Sequence, residues 1–290
     1  MKKIIVAAVL LAFVLLAGIA AAVWFSEDEE AVPEVQGMRA LFSWSSSNVE
    51  DRTLLETMKK ADLNTIFQSF SADNDKNSIA FLEEAAAEKI TVYALTGSPE
   101  WSLDKKGSSM VERVNRISAL NEKAAESDRV QGVIMDVEPY LLDEFKGNEK
   151  EIMESFILGL EAAYEKAKEH NLRFGVCIPY YYDHWDLQDE LDKIAKASDF
   201  MLVMNYYRDQ EIEHMSFEAG LARKYEKEIM TIYELQAPGK YGLTERNTYY
   251  GLGLAKVEQN FSKLQAYFGE QSVSMAYHEY NALKEALADE

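Results

Sequence analysis

Short apolar runs alternate with longer amphipathic stretches along most of this chain. The runs begin near Met38 (MRALFSW), Thr65 (TIFQSF), Ile90 (ITVYAL), Val130 (VQGVIMDVE), Arg173 (RFGVCIP), Phe200 (FMLVMNY), Ile229 (IMTIYEL) and Val273 (VSMAYHEY). They are rich in β-branched and aromatic residues, and each predicts a strand. The stretches between them carry helical periodicity. Ser109-Met-Val-Glu112 has the capping-box pattern and opens a helix with Val114, Ile117 and Leu120 on one side. After Asn148, Ile152, Phe156, Leu160, Ala163 and Ala167 line one face of a long helix. Eight strands, each followed by helical or loop sequence, in roughly 250 residues is the expected size of one (β/α)8 TIM barrel. A doubly wound open sheet would show Gly-x-Gly-x-x-Gly after the first strand. That turn is absent, and Gly251-Leu-Gly-Leu254 lies far from the required place. No fixed-period repeat or low-complexity tract interrupts the pattern, and a second domain has no room.

One further apolar segment is of a different kind. Ile4 to Phe25 is nearly unbroken, follows Lys2 and Lys3, and precedes Glu27-Asp28-Glu29-Glu30. Its length suits a membrane span better than the shorter apolar region of a cleaved signal peptide. The lysines are expected to stay cytoplasmic, which makes residues 1–25 a signal-anchor and exports the rest across the cell membrane. Ala20-Ala21-Ala22 and Gly18-Ile19-Ala20 resemble small-residue cleavage sites, so secretion after signal cleavage is the alternative. No cysteine follows the segment, which excludes a bacterial lipoprotein anchor. Residues 26–37 are acidic, contain Pro33 and read as a solvated linker, leaving residues 38–290 for the barrel.

Charge and composition narrow the chemistry. Lysine and arginine number 30 against 50 acids, a formal charge of -20 that would repel a phosphate backbone, so nucleic acid is excluded as a partner. The single cysteine, Cys177, permits no intramolecular disulfide and, lying within a predicted strand, reads as a buried structural residue. His170, His184, His214 and His278 show no zinc-ligand spacing, no Gly-x-Ser-x-Gly elbow occurs, and no motif calls for a metal or cofactor.

Sites in such barrels lie at the carboxyl ends of the strands. Here those exits are polar and aromatic: Trp44 after the first strand, Gln68 after the second, Trp101 after the third, Asp136 and Glu138 at the fourth, and Tyr180 and Trp185 after the fifth. Asn205 and Tyr206 follow the sixth, Glu234 and Gln236 the seventh, and His278 the eighth. An aromatic plate beside polar groups suits a sugar ring, with its apolar face and its hydroxyls. The same tryptophans would equally plug a barrel mouth.

The fourth exit is the most specific. Alternation puts Ile134, Asp136 and Glu138 on one face and Met135 and Val137 on the other, so both carboxylates are expected to point into the mouth. Two acids held together in a partly dry site repel, and one keeps its proton to a higher pH, which makes it a candidate general acid.

These residues resemble those of TIM-barrel glycoside hydrolases, and in part the family 18 chitinase-like group. That group ends its fourth strand in Asp-x-x-Asp-x-Asp-x-Glu and carries Met-x-Tyr-Asp/Asn on the sixth. Asp136-Val137-Glu138 matches the end of the first motif and Met204-Asn205-Tyr206 resembles the second, while Gln131, Ile134 and Tyr207 depart from them. The resemblance implies a substrate-assisted mechanism. Glu138 would protonate the leaving oxygen, Asp136 would orient a substrate acetamido group, and Tyr206 would hydrogen-bond to it. The chain also resembles the clan of retaining barrel glycosidases, whose acid/base and nucleophile are glutamates at the fourth and seventh strand ends. Glu138-Pro139 looks like the end of that clan's Asn-Glu-Pro, and Glu234 would then be the nucleophile. Glu234 has a plainer reading, as a hydrogen-bonding group at a strand end.

The expectation is an exported bacterial barrel, anchored in the membrane and acting on a carbohydrate, with Glu138 as general acid. A cell-surface barrel that binds carbohydrate without cleaving it is the alternative from another class. A lesser one is a metal-dependent phosphodiesterase-type barrel, with a hard cation on Asp136 and Glu138 and only His184, Arg208 and His278 to meet phosphate.

Overall fold

The computed structural model describes residues 37–269 and 271–288. The segment read as an anchor or signal, and all but the last residue of the acidic linker, lie outside them. Among the described residues no helix is long and apolar enough to cross a membrane.

Eight parallel strands close into a barrel in chain order: β1 (Arg39–Ser43), β2 (Thr65–Gln68), β3 (Thr91–Thr96), β4 (Gly132–Met135), β5 (Arg173–Pro179), β6 (Phe200–Met204), β7 (Glu228–Glu234) and β8 (Val273–His278). The ring closes where Ala40 of β1 pairs with Ala276 of β8. Each strand starts within two residues of its predicted place. Eight helices alternate with them: α1 (Thr53–Lys60), α2 (Asp75–Ala87), α3 (Ser108–Asn121), α4 (Glu149–Glu169), α5 (Gln188–Lys196), α6 (Ser216–Lys224), α7 (Leu254–Phe268) and α8 (Tyr280–Ala288).

Two apolar layers hold this together. The larger lies between strands and helices, where α4 buries Ile152, Phe156, Leu160, Ala163 and Ala167 as their spacing predicts. The smaller fills the barrel. Phe42, Phe67, Tyr93 and Phe200 cross it as edge-to-face pairs with ring centroids 5.1, 5.9 and 5.6 Å apart. A side chain at Gly175 would put its Cβ 2.5 Å from the Phe200 ring, so the glycine makes room for that aromatic.

The capping-box expectation at Ser109 is corrected. Helix α3 begins one residue earlier, after Gly107 at φ +59°, and the Asp104 carboxylate accepts the Ser108 N–H at 2.8 Å. Gly107 is set by packing, since a Cβ there would sit 2.3 Å from the Gly159 carbonyl oxygen of α4.

Candidate active site

Strand parity decides which exit residues meet. Phe42, Ile134, Met204, Ile232 and Ala276 all pack in the barrel interior. Two residues further along each strand direction stand Trp44, Asp136, Tyr206, Glu234 and His278, which therefore face the mouth, with Glu138 and Gln236 two further still. By the same count Ile66, Ile178 and Val203 pack outward against the helices, and Gln68, Tyr180 and Asn205 follow them.

Three of the residues read as substrate-binding, Gln68, Asn205 and Tyr180, are thus turned away from this centre. The Gln68 amide donates to the Ser45 and Ser69 carbonyls at 2.9 and 2.6 Å. Asn205 donates to the Glu211 carbonyl at 2.9 Å, bracing the loop after β6. Tyr180 stacks on His214 at 4.2 Å, and Trp101 packs on the outer layer beneath the Arg113 guanidinium. Trp185 stands at the rim, 47% exposed, with its ring 4.4 Å from that of Tyr181.

Asp136 is buried, its Oδ1 has no hydrogen-bond partner, and its N–H donates to the Thr96 carbonyl at 2.9 Å. The backbone here is tightly placed, because a Cβ on Gly97 would fall 1.8 Å from the Asp136 carbonyl oxygen. Burial raises the Asp136 pKa, and the His278 ring and the Cys177 thiol pull it partly back. Glu138 is raised further, by burial and then by the Asp136 charge. Its carboxylate accepts the Tyr140 hydroxyl proton. Two desolvated carboxylates cost several kcal/mol unless one is neutral. Between about pH 6 and pH 8 the pair therefore holds one proton, on Glu138, beside an anionic Asp136.

Opposite this pair lies a hydrogen-bonded chain. The Trp44 indole N–H donates to His278 Nε2 at 3.2 Å, and His278 Nδ1 lies 2.8 Å from Glu234 Oε2. Glu234 Oε1 accepts the Gln236 N–H at 2.7 Å, and the Gln236 amide lies 3.3 Å from His278 Nδ1. Both Glu234 oxygens are therefore engaged. The Tyr206 phenol stands between the two groups: burial first, then the charges of Glu234, Asp136 and Glu138, push its pKa well up, so it remains a hydrogen-bond donor.

Cys177 and Tyr181 belong to this centre and were not singled out as site residues. Cys177 lies in the interior layer beside Asp136, and the signal for it was parity, two residues beyond the interior Gly175. Tyr181 packs against Tyr140, with ring centroids 5.6 Å apart, and feels the Glu138 charge. Past them Tyr140, Leu142, Phe145 and Trp185 line a cleft of about 670 Å³, with Lys146, Lys150 and Glu149 at its edge. Among the described residues no group of three or more His, Cys, Asp or Glu is arranged to hold a metal ion.

No family model matches the sequence, and no curated protein does. Solved structures do match. A chitinase from Chromobacterium violaceum superposes with TM-score 0.54 at 13% identity, over 87% of this chain and 99% of that one. One from Bacteroides thetaiotaomicron gives 0.55 at 12%, over 84% and 90%. A GH18 chitinase from Cycas revoluta in complex with (GlcNAc)3 gives 0.51 at 11%, over 87% and 98%. At such identities the likeness is one of fold.

Proposed function

We propose that this barrel cleaves a glycosidic bond in an oligo- or polysaccharide, with Glu138 as general acid, outside the cytoplasm and tethered by its N-terminal segment. One feature carries the reading: two acids at the β4 exit in register with the interior Ile134, Asp136 buried and Glu138 half-buried, with burial and the Asp136 charge raising the Glu138 pKa to about 8. A general acid must be protonated at the working pH and lie beside the leaving oxygen. Burial and the Asp136 charge meet the first need, and the inward parity of Glu138 meets the second.

Asp136 is the better second group than Glu234. Its Oδ1 is free, whereas Glu234 spends both oxygens on His278 and Gln236. An anionic Asp136 with a free oxygen can accept the N–H of a substrate acetamido group while that group's carbonyl oxygen attacks the anomeric carbon. The C–O bond to the leaving sugar breaks as Glu138 delivers its proton. Glu138, now a carboxylate, takes a proton from the water that opens the cyclic intermediate, and the acid pair is restored. Tyr206 donates to the acetamido oxygen before attack. The (GlcNAc)3 bound by the Cycas revoluta chitinase, which shares this fold, supports an N-acetylated substrate. No step needs a cofactor.

The test is the full-length chain in mild detergent, incubated with α- and β-linked oligosaccharides, N-acetylated ones among them, beside Glu138→Gln. Release of reducing ends by the parent and its loss in the variant supports the glycosidase, and preference for N-acetylated chains supports Asp136 as the second group. Saturable binding without release in both proteins would leave a carbohydrate-binding barrel instead.

A further inference from the structure

We infer that Glu234, His278 and Trp44 form a positioning relay that fixes the Trp44 indole at the barrel mouth, and that protonation of His278 releases it. The inference rests on the glycosidase reading for what the indole serves, a platform under a sugar ring; the relay itself does not.

The protons can be placed by chemistry. An indole N–H only donates, so His278 Nε2, 3.2 Å from it, carries a lone pair. The neutral ring then has its proton on Nδ1, which donates to Glu234 Oε2 at 2.8 Å, and the Gln236 amide nitrogen 3.3 Å away, itself a donor, makes no hydrogen bond to that N–H. Glu234 is 3% exposed, and its other oxygen is held by the Gln236 N–H, so the carboxylate cannot turn away. Exits of β7, β8 and β1 are joined in this way, and the far end of the chain is a half-buried tryptophan packed on the interior layer. A carboxylate that accepts the N–H of one histidine nitrogen fixes the tautomer of the ring, and Glu234 does so here.

An imidazolium has no lone pair, so below its pKa His278 presents a donor to a donor and the indole bond is lost. The groups facing the ring are Glu234 from β7, Asp136 from β4, Glu279 next in the chain, the Tyr206 ring 6.0 Å away from β6, and the apolar Phe42 ring 5.5 Å away from β1. Burial works against the cation, but the hydrogen bond and charge of Glu234, with the charges of Asp136 and Glu279, outweigh it and raise the pKa. Release therefore sets in at a higher pH than a free imidazole would give, and the platform is in place only on the alkaline side of that raised pKa. Glu234 is in this account a positioning residue and no nucleophile.

The experiment follows the indole N–H resonances of the full-length chain, labelled with ¹⁵N-tryptophan, in mild detergent over pH 5 to 9. Trp44→Phe assigns the Trp44 signal among the four tryptophans. The Trp44 proton should lie downfield at high pH and move with a single midpoint on acidification. Glu234→Gln should lower that midpoint by about one pH unit or more, and His278→Ala should abolish the titration. Unmoved Trp101 and Trp185 signals report an intact fold. In hydrolysis, Glu234→Gln should raise KM more than it lowers kcat, whereas loss of a nucleophile would remove kcat by orders of magnitude. A Trp44 signal that is invariant with pH, or a midpoint unmoved by Glu234→Gln, overturns the relay. A normal titration in a protein without hydrolysis overturns the glycosidase reading and leaves the relay standing.

Discussion

Replacing Glu138 by Gln should stop turnover and stabilise the fold. Burial and the neighbouring Asp136 charge keep a proton on Glu138 well above the usual carboxylate range. The unfolded chain releases that proton near pH 4.3. A carboxyl group whose folded pKa is raised gives its full stability below the unfolded value, and that stability is lost as pH climbs toward the folded one. Each pH unit in this window costs ~1.4 kcal/mol for one retained proton, so the step from pH 5 to pH 7 costs at most about 2.7 kcal/mol. The figure is a ceiling because Glu138 is half-buried and water screens part of the penalty. Glutamine keeps the shape and has no proton to lose. Relative to the parent, Glu138→Gln should therefore gain up to about 2.7 kcal/mol between pH 5 and pH 7, roughly 5 °C or more in melting temperature for a domain of this size. Calorimetry of parent and variant at the two pH values reads this directly, and the same samples should lose hydrolysis by about 10²- to 10⁴-fold. An identical melting difference at pH 5 and pH 7 would mean that Glu138 titrates as an ordinary surface acid, and the general-acid assignment would fall with it.

Three further outcomes are expected. Tyr206→Phe keeps the ring and deletes the hydroxyl that faces Asp136, Glu138 and Glu234, so kcat should fall by about 10- to 100-fold while chemical denaturation barely changes. Gly97→Ala drives a methyl group into the Asp136 carbonyl; urea unfolding should show a loss of about 1–3 kcal/mol or more, and hydrolysis should fall because the acid pair moves with the β4 exit. Glu218, on α6, is fully buried with neither oxygen partnered, and burial pushes its pKa up to about 8. Glu218→Met should stabilise the protein, by more at pH 8 than at pH 5, with a gain of about 1–4 kcal/mol in calorimetry; a loss of stability at pH 8 would refute the burial argument.

The barrel was legible because its strands are buried on both sides. Helices cover one face and the packed interior the other, so runs such as FMLVM and GVIM stand out as apolar segments too short for helices. The start of α3 was not legible. Ser109 and Glu112 match the capping pattern, but the helix begins where Gly107 passes against Gly159 of α4, a contact between residues 52 apart in the chain. Tertiary packing overrode the local signal.

The site divides along a similar line. Counting by twos from Ile134 turns Asp136 and Glu138 inward, and the same count from Val203, Ile178 and Ile66 turns Asn205, Tyr180 and Gln68 outward. Identity and exit position alone grouped these residues with the mouth; parity separates them, and it was available wherever the strand ran regularly to its end. Trp101 and Trp185 lie in turns beyond the strands, where no period applies. The contact between Trp44 and His278 joins residues 234 apart and exists because β8 closes on β1. No pattern within either segment announces it. Closure also changes what Glu234 can do: as an isolated acid at a strand end it could serve as a nucleophile, but here each of its oxygens is held by a neighbour, His278 or the Gln236 N–H. Its role is set by the neighbours that the barrel brings to it, whereas Asp136 and Glu138 carry their relation within three consecutive residues.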